Sequence, residues 1–251
     1  MWPFRKKRYS LIGSGLLQGV TDCHSHILPG VDDGIQTEED ALLALKSLAE
    51  QGVRELWLTP HIMEDIPNSP ADLRQRFADL QRLVAAQSGG DGAPLSGLRL
   101  NLAAEHMLDG LFARRFADDD LLPIFDGRCL LVETSYFNPP LRFWEMLEDI
   151  RRKGYMPLLA HPERYYYMHT PDYHRLLDIG VLFQLNLLSL TGAYGETARQ
   201  KSLRMLHGGC YSYVGSDLHN LDDFLDYANE DCLLKDDVEM LSQLMQGSDT
   251  L

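Results

Sequence analysis

Seven short, mostly apolar runs alternate along this chain with amphipathic stretches of helical period, and that alternation limits the fold more than any other feature. The runs cover residues 20–26, 54–60, 99–105, 129–135, 156–161, 182–186 and 212–217. Strands buried on both faces read this way, because neither face meets water. Between them, 38–51, 70–87, 141–153, 172–179 and 196–207 carry apolar residues at three- and four-residue spacing. Gly52, Gly154 and Gly180 follow three of these as helix stops. Strand and helix in turn imply a parallel α/β architecture. An open doubly wound sheet and a closed barrel both satisfy the alternation.

The ends of the runs decide between them. The first closes on Asp22-Cys23-His24-Ser25-His26 and continues into Asp32-Asp33-Gly34. The next four close on Thr59-Pro60-His61, Ala104-Glu105-His106, Val132-Glu133-Thr134 and Ala160-His161, and the last on Asp217-Leu218-His219. Only the sixth, ending Gln184-Leu185-Asn186, lacks a strong metal ligand. Barrels gather functional groups from the C-terminal ends of several strands, whereas an open sheet would spread these along a line too long for one site. The expectation is therefore a distorted (β/α)7 TIM-like barrel over residues 20–251, preceded by a solvated N-terminal arm, 1–19. The loop at 87–94 is the nearest thing to a linker.

Each end residue has an ordinary explanation when taken alone. A histidine after a strand is commonly a surface hydrogen-bonding group, Glu133 a salt-bridge partner, Asp217 a helix cap. Their convergence is what argues for metal. His24 and His26, two apart on a strand, face one side, as do Asp217 and His219. Imidazole and carboxylate without thiolate suit manganese, iron or zinc. His24, His26, Asp33, His61, Glu105, Glu133, His161, Asp217 and His219 are too many for one ion. Two or three divalent ions are implied, with a carboxylate such as Glu105 bridging.

Composition excludes several other functions. A net charge of −14 argues against nucleic acid, whose binding needs basic surface. Much of the acid is late, from Asp222 and Asp223 through Asp237 and Glu239, and reads as a solvated helical face. Four scattered cysteines make neither a disulfide framework nor a zinc knuckle, and a reducing cytoplasm fits them. None is followed six positions later by arginine, so a cysteine-nucleophile phosphate loop is unlike this chain. No apolar run approaches the roughly 18 residues of a spanning helix. The basic cluster Arg5-Lys6-Lys7-Arg8 reads as part of the solvated arm, or as a contact to anionic lipid at the inner membrane.

The chain resembles the polymerase-and-histidinol-phosphatase (PHP) superfamily and, within it, the bacterial protein tyrosine phosphatases of capsule and exopolysaccharide systems. The resemblance rests on DCHSHILPGVDDG (22–34), TPHI (59–62), AAEH (103–106), VETS (132–135), AHPERY (160–165), QLNLLSLTG (184–192) and GSDLHN (215–220). It implies a seven-stranded distorted barrel holding three metals, with manganese favoured over iron, zinc or magnesium. Carried over by motif, His24, His26, Glu105 and Asp217 would hold one ion. Glu105 would bridge to a second, shared with Glu133 and His161, and Asp33, His61 and His219 would hold the third. Asp33 and Glu133 stand where other branches often have histidine, which favours the tyrosine-phosphatase branch. Relatives often follow the last motif with Arg-Pro-Pro; here Leu221-Asp222-Asp223-Phe224 follows, leaving Arg164 as the arginine clamp.

The expected reaction is hydrolysis of phosphotyrosine by metal-activated hydroxide, with ions and Arg164 holding the phosphoryl oxygens. Tyrosine leaves with a pKa near 10, so His219 or a metal-bound water suffices as acid. Tyr165 and Phe137 are candidate walls for the phenyl ring. The resemblance implies a bacterial tyrosine autokinase of polysaccharide export as partner. The rivals are a PHP phosphatase for a small metabolite such as histidinol phosphate, a phosphodiesterase disfavoured by the acidic balance, and a deacylase, which would want lysine where Glu133 stands. A non-catalytic metal-binding regulator has no use for so complete a ligand set.

Overall fold

The computed structural model describes residues 6–87 and 94–247, so Arg5 and most of the loop expected at 87–94 lie outside the described residues. Its strands are β1 (Thr21–Ser25), β2 (Glu55–Leu58), β3 (His61–Ile62), β4 (Arg99–Leu102), β5 (Glu105–Met107), β6 (Cys129–Glu133), β7 (Met156–Ala160), β8 (Leu182–Asn186) and β9 (Tyr213–Gly215). One sheet has the order β1-β2-β4 and the other β3-β5-β6-β7-β8-β9, with every pairing parallel. The result is a mixed α/β fold with a curled parallel sheet.

Seven expected runs became nine strands because two of them are interrupted. Between β2 and β3 stands Pro60, which has no N–H to give the ladder. Between β4 and β5 the Ala104 N–H turns away to the Leu122 carbonyl, 3.1 Å off. Each break lies just before a site residue, His61 or Glu105, and re-aims the chain there. The outer edges β1 and β9 also meet. His26 N–H donates to the Leu218 carbonyl at 3.0 Å, Asp217 N–H donates to the His24 carbonyl at 2.8 Å, and the buried Asp22 carboxylate accepts from Ser216 N–H at 2.8 Å. Gly215 is required at this seam, since a Cβ there would fall 2.5 Å from the His24 Cβ.

Helices α1 (Glu38–Glu50), α2 (Pro70–Gln87), α3 (Gly110–Ala117), α4 (Phe143–Arg152), α5 (Thr170–Asp178), α6 (Gly195–His207), α7 (Leu221–Ala228) and α8 (Lys235–Gly247) complete the chain. The first shows why they form. Thr37 caps it by accepting from Asp40 N–H, three acids fill its first turn, and Ala41, Ala44, Leu45 and Leu48 face the sheet. The main core packs the helices against the strands. A second cluster, including Cys23, Trp57, Cys129, Leu131, Leu158 and Tyr213, fills the inside of the curl. Cys129, Leu131 and Glu133 share one face of β6 by the two-residue period, so this cluster lies directly beneath the site. It gives the site a dry floor.

Two expectations need correction. The N-terminal segment is not a free arm from Tyr9 onward. Tyr9 exchanges backbone hydrogen bonds with Leu233, and Leu11 and Leu17 are buried in the main core, whereas Lys6, Lys7 and Arg8 before them are all exposed. Asp237 likewise leaves the solvated acidic face. It is buried, accepting from Leu234 N–H at 2.8 Å and meeting His207 at 2.7 Å, so it caps α8. Leu11→Ala is expected to destabilise the protein by about 2–5 kcal/mol in urea unfolding, as large-to-small core changes do. A loss below about 0.5 kcal/mol, the surface range, would return the segment to a solvated arm.

Candidate metal centre

The strand ends, with the loop after β1 that carries Asp33, bring all nine expected ligand residues to one mouth of the sheet. His24, His26 and Glu105 are completely buried, and Glu133, His161 and Asp217 nearly so; Asp33 is the exposed member at the rim. The backbone is bent to achieve this. His161 and Asp217, just past β7 and β9, hold φ of 34° and 52°, in the left-handed region that non-glycine residues avoid. Strain of this kind persists only where surrounding structure imposes it, and it concentrates at functional sites.

The hydrogen bonds around His24 and His26 settle their tautomers. Gln184 Oε1 accepts from the His161 backbone N–H at 3.2 Å, while its Nε2 donates to the Leu185 carbonyl at 2.7 Å. The Gln184 oxygen therefore faces His24 Nδ1, 3.0 Å away, and that nitrogen must donate. His26 Nδ1 likewise donates to Asp32 Oδ2 at 2.8 Å. Both Nε2 atoms are left pointing at each other, 3.0 Å apart. Two imidazole lone pairs at that distance repel unless a proton or a cation stands between them.

A metal ion fits the geometry. The two Nε2 atoms lie 3.3–3.4 Å from Glu105 Oε2 and from Asp217 Oδ1. Each Nε2 atom thus faces a carboxylate oxygen on either side, and His24, His26 and Glu105 form one set of donors able to hold an ion while His24, His161 and Asp217 form another. Glu105 Oε2, Glu133 Oε1 and His61 Nδ1 are buried without a hydrogen bond, although His61 Nδ1 stands 3.1 Å from Glu105 and 3.0 Å from Glu133. These contacts have ion-pair distance but not hydrogen-bond alignment. Such a crowd of misaligned acceptors is what a shared cation would satisfy.

Beyond this first set, the grouping differs from the motif carry-over. Glu133 stands beside His61 and Glu105, while His161 groups with His24 and Asp217. His26, Asp33, His61 and His219 form a further cluster. Glu105 reaches both sides, with Oε1 3.0 Å from His161 Nε2 and Oε2 near His61. His219 Nδ1 lies 2.9 Å from the Asp217 carbonyl and donates to it, leaving its Nε2 unprotonated.

Charge is distributed unevenly over these groups. Burial opposes protonation of His24, but Glu105 and Asp217 outweigh it and lift the imidazole to about 9. Burial also opposes ionisation of Glu105, yet His24 and His61 hold it well below the usual carboxylate range. Glu133 goes the other way, raised to about 7 by burial and by the Glu105 charge. His161 is pushed down to about 4 by burial and by the Arg164 cation. Of the two carboxyls, Glu105 is thus the stronger acid and Glu133 the weaker.

Arg164 stands at the edge of the cluster. Its guanidinium donates to Asp217 Oδ2 at 2.7 Å and lies between the rings of Tyr136, at 4.7 Å, and Tyr194, at 3.9 Å. A cavity of about 540 Å³ opens here, lined by Arg164, Tyr136, Tyr194, Asp33, Asp223, Phe224 and Tyr227 among others. Tyr165, expected as a wall of this slot, cannot serve: it has no exposed surface, and its hydroxyl donates to the Ala160 carbonyl at 2.9 Å. Phe137 is exposed, but it lines a neighbouring depression. The walls that motif reading missed are Tyr136 and Tyr194. It also missed the residues that hold the ligands. Asp32 orients His26, Gln184 orients His24, and Asn186 Nδ2 donates to Asp217 Oδ2 at 2.8 Å.

Comparison with known proteins agrees with this geometry. Residues 20–225 match the family described as capsular polysaccharide synthesis, CpsB/CapC. The chain belongs to the CpsB/CapC family. The family read from the motifs is the one found. Among CpsB/CapC relatives, the tyrosine-protein phosphatase YwqE of Bacillus subtilis is 30% identical over 204 residues, covering 80% of this chain and 77% of that protein. The tyrosine-protein phosphatase CpsB of Streptococcus pneumoniae is 27% identical over 209 residues, covering 80% and 83%. A crystal structure from work on YwqE and CpsB, described as unique metal-dependent tyrosine phosphatases, superposes with a TM-score of 0.73 at 26% identity, covering 92% of this chain and 96% of that one. The phosphotriesterase homology protein of Escherichia coli shares the fold alone, at a TM-score of 0.54 and 13% identity over 90% of this chain and 98% of that one.

Two measurements test the centre. Gln184→Leu leaves His24 free to rotate and flip tautomer, so metal affinity is expected to fall about 10–100-fold by titration calorimetry; unchanged affinity would remove Gln184 from the orienting role. Adding manganese to chelator-treated protein at pH 7 is expected to release protons, because His24 holds one up to about 9 and must lose it to ligate. Uptake without proton release would contradict that assignment.

Proposed function

We propose that this chain is a metal-dependent protein tyrosine phosphatase acting on a bacterial tyrosine autokinase of polysaccharide export. The observation that carries the reading is the four-atom nest of His24, His26, Glu105 and Asp217 beside an arginine clamped between two tyrosine rings. The family and the names of its relatives support the substrate class. The fold is read as a (β/α)7 barrel in which β2 with β3, and β4 with β5, each count as one broken stave. No helix among the described residues is long and apolar enough to cross a membrane. The reading places the enzyme in the cytoplasm, with the exposed side chains of Lys6, Lys7 and Arg8 on the face that would meet anionic lipid.

Three divalent ions, manganese first, would be held by His24, His26, Asp33, His61, Glu105, Glu133, His161, Asp217 and His219. When bound, they supply the positive charge that makes water acidic enough to attack near neutrality and that offsets the phosphoryl oxygens. The protein's own groups do the rest. Asn186 keeps a hydrogen bond on Asp217 Oδ2, so Arg164 can turn its planar fork toward the phosphoryl group without stranding that carboxylate. Tyr136 and Tyr194 keep the guanidinium flat and in register. Tyr194, Phe224 and Tyr227 offer apolar faces to a phenyl ring. The departing phenolate needs little help because its pKa is near 10, and since His219 Nδ1 is held by the Asp217 carbonyl and its Nε2 carries no proton, solvent rather than His219 is the acid in this reading.

The test is a substrate panel. Manganese-loaded protein is given a phosphotyrosine peptide, a phosphoserine peptide, histidinol phosphate and a phosphodiester, each with and without chelator. Preference for the phosphotyrosine peptide, abolished by chelator, is expected; preference for any other compound would overturn the substrate class. Arg164→Ala is expected to lower kcat/KM on the peptide about 10²–10³-fold, as loss of one charge-stabilising donor does, with metal content unchanged. Equal loss of metal would make Arg164 a support for Asp217 instead.

A further inference from the structure

Beside the cavity lies a second depression of about 270 Å³, and the two share Tyr136, Arg164 and Tyr194 as a common wall. Its outer lip is made by Phe137 and Tyr166, whose rings stack 5.5 Å apart at 22°. They are 69% and 59% exposed, and Leu141, four residues on from Phe137, is 93% exposed. Of the five large apolar side chains well exposed among the described residues, three thus fall on these two segments. Their backbone is held in place: Tyr166 N–H donates to the Tyr136 carbonyl at 2.8 Å. An aromatic pair kept in water by a fixed backbone beside a cavity is the mark of a binding surface rather than a packing residue left outside.

The floor of the depression is already satisfied and offers little to a polar ligand. Lys201 Nζ donates to the Tyr165 and Met168 carbonyls at 2.6 and 2.8 Å. Buried Glu163 accepts from Asn186 N–H at 3.1 Å and from the Tyr211 hydroxyl at 2.9 Å. What remains open to an incoming group is mainly aromatic and aliphatic surface, the rings of Phe137 and Tyr166 and the stem of Thr197, with the unused donors of Lys201 and Arg164 at its edge. A single guanidinium and its two flanking rings separate this surface from the phosphoryl cavity. Successive Cα atoms are about 3.8 Å apart, so a peptide with its phosphotyrosine in the cavity brings a residue one or two positions away over the depression.

We infer that Phe137 and Tyr166 form a specificity subsite for one large apolar or aromatic side chain flanking the phosphotyrosine of a peptide substrate. This rests on the phosphotyrosine-phosphatase reading above and narrows it. Phe137 then touches substrate, but at a neighbouring residue and not at the phosphorylated ring. The depression holds one such side chain, which makes the preference positional rather than a general taste for apolar peptides. The subsite also distinguishes a protein segment from a free phosphorylated metabolite, which has nothing to place there.

The experiment compares phosphotyrosine peptides that differ only in one flanking position, alanine against leucine or phenylalanine, scanned over two residues on either side. Wild-type manganese-loaded enzyme is expected to favour the apolar peptide at one position by about tenfold in kcat/KM, mainly through KM; tenfold is about 1.4 kcal/mol, within reach of burying one such side chain. In the Phe137→Ser, Tyr166→Ser double variant the ratio between the two peptides should fall to within about twofold of one, while Tyr166→Phe keeps it. A wild-type ratio near one at every position, or a preference that the double variant retains, overturns the subsite while leaving phosphotyrosine hydrolysis standing. If no phosphotyrosine peptide is turned over at all but another phosphate ester is, the activity reading fails and the subsite fails with it. The ratio is taken within each enzyme, so partial loss of folded protein does not disturb it.

Discussion

The structure depends on an electrostatic conflict that its own hydrogen bonds create. His24 and His26 are each committed, through Nδ1, to a fixed acceptor, and their remaining nitrogens face each other at 3.0 Å in a pocket closed to water. Around them stand two carboxylate oxygens, also buried. Burial of so many ionisable groups costs several kcal/mol per uncompensated charge, and an apolar replacement would ordinarily be the more stable choice. A fold keeps such a cluster when something positive completes it. Metal chemistry is therefore the simplest physical account of why the cluster exists.

The rest of the architecture can be read as the means of holding these groups together. All the expected ligands but Asp33 sit at or just past the end of a parallel strand, and the strands converge because the sheet curls over a dry floor of Cys23, Trp57, Leu131 and Leu158. The seam between β1 and β9 brings His24 against Asp217. It is fastened by a buried aspartate, Asp22, raised to about 6 by its burial, and it needs a glycine at 215 for the strands to touch. The left-handed turns at His161 and Asp217 aim two ligands back over the mouth. Remote packing, seam and strain serve one small volume of space.

Much of this was legible in the residues. Apolar runs located the strands to within a residue or two, since two-sided burial leaves a compositional trace, and ligands at their ends announced a shared site. What stayed hidden depended on contacts between distant segments. Glutamine at position 184 carries no ligand signal, and only its contact with His24 reveals its part. Tyr165 and Tyr194 look alike as aromatic residues, yet one is core and the other wall, because the short turn at 162–164 points Tyr165 inward. The breaks at Pro60 and Ala104 split two strands for reasons of single backbone donors. Tyr9–Gly19 reads as an arm because its few leucines have no period, and packing alone shows that Leu11 and Leu17 enter the core.

The central claim is that donors from remote segments cage more than one cation in a single buried nest. Anomalous diffraction from manganese-soaked crystals tests it directly. The account predicts at least two peaks, one of them about 2.0–2.3 Å from the imidazoles of His24 and His26 and from carboxylate oxygens of Glu105 and Asp217. No peak in that nest, or a lone peak at the protein surface, would contradict it.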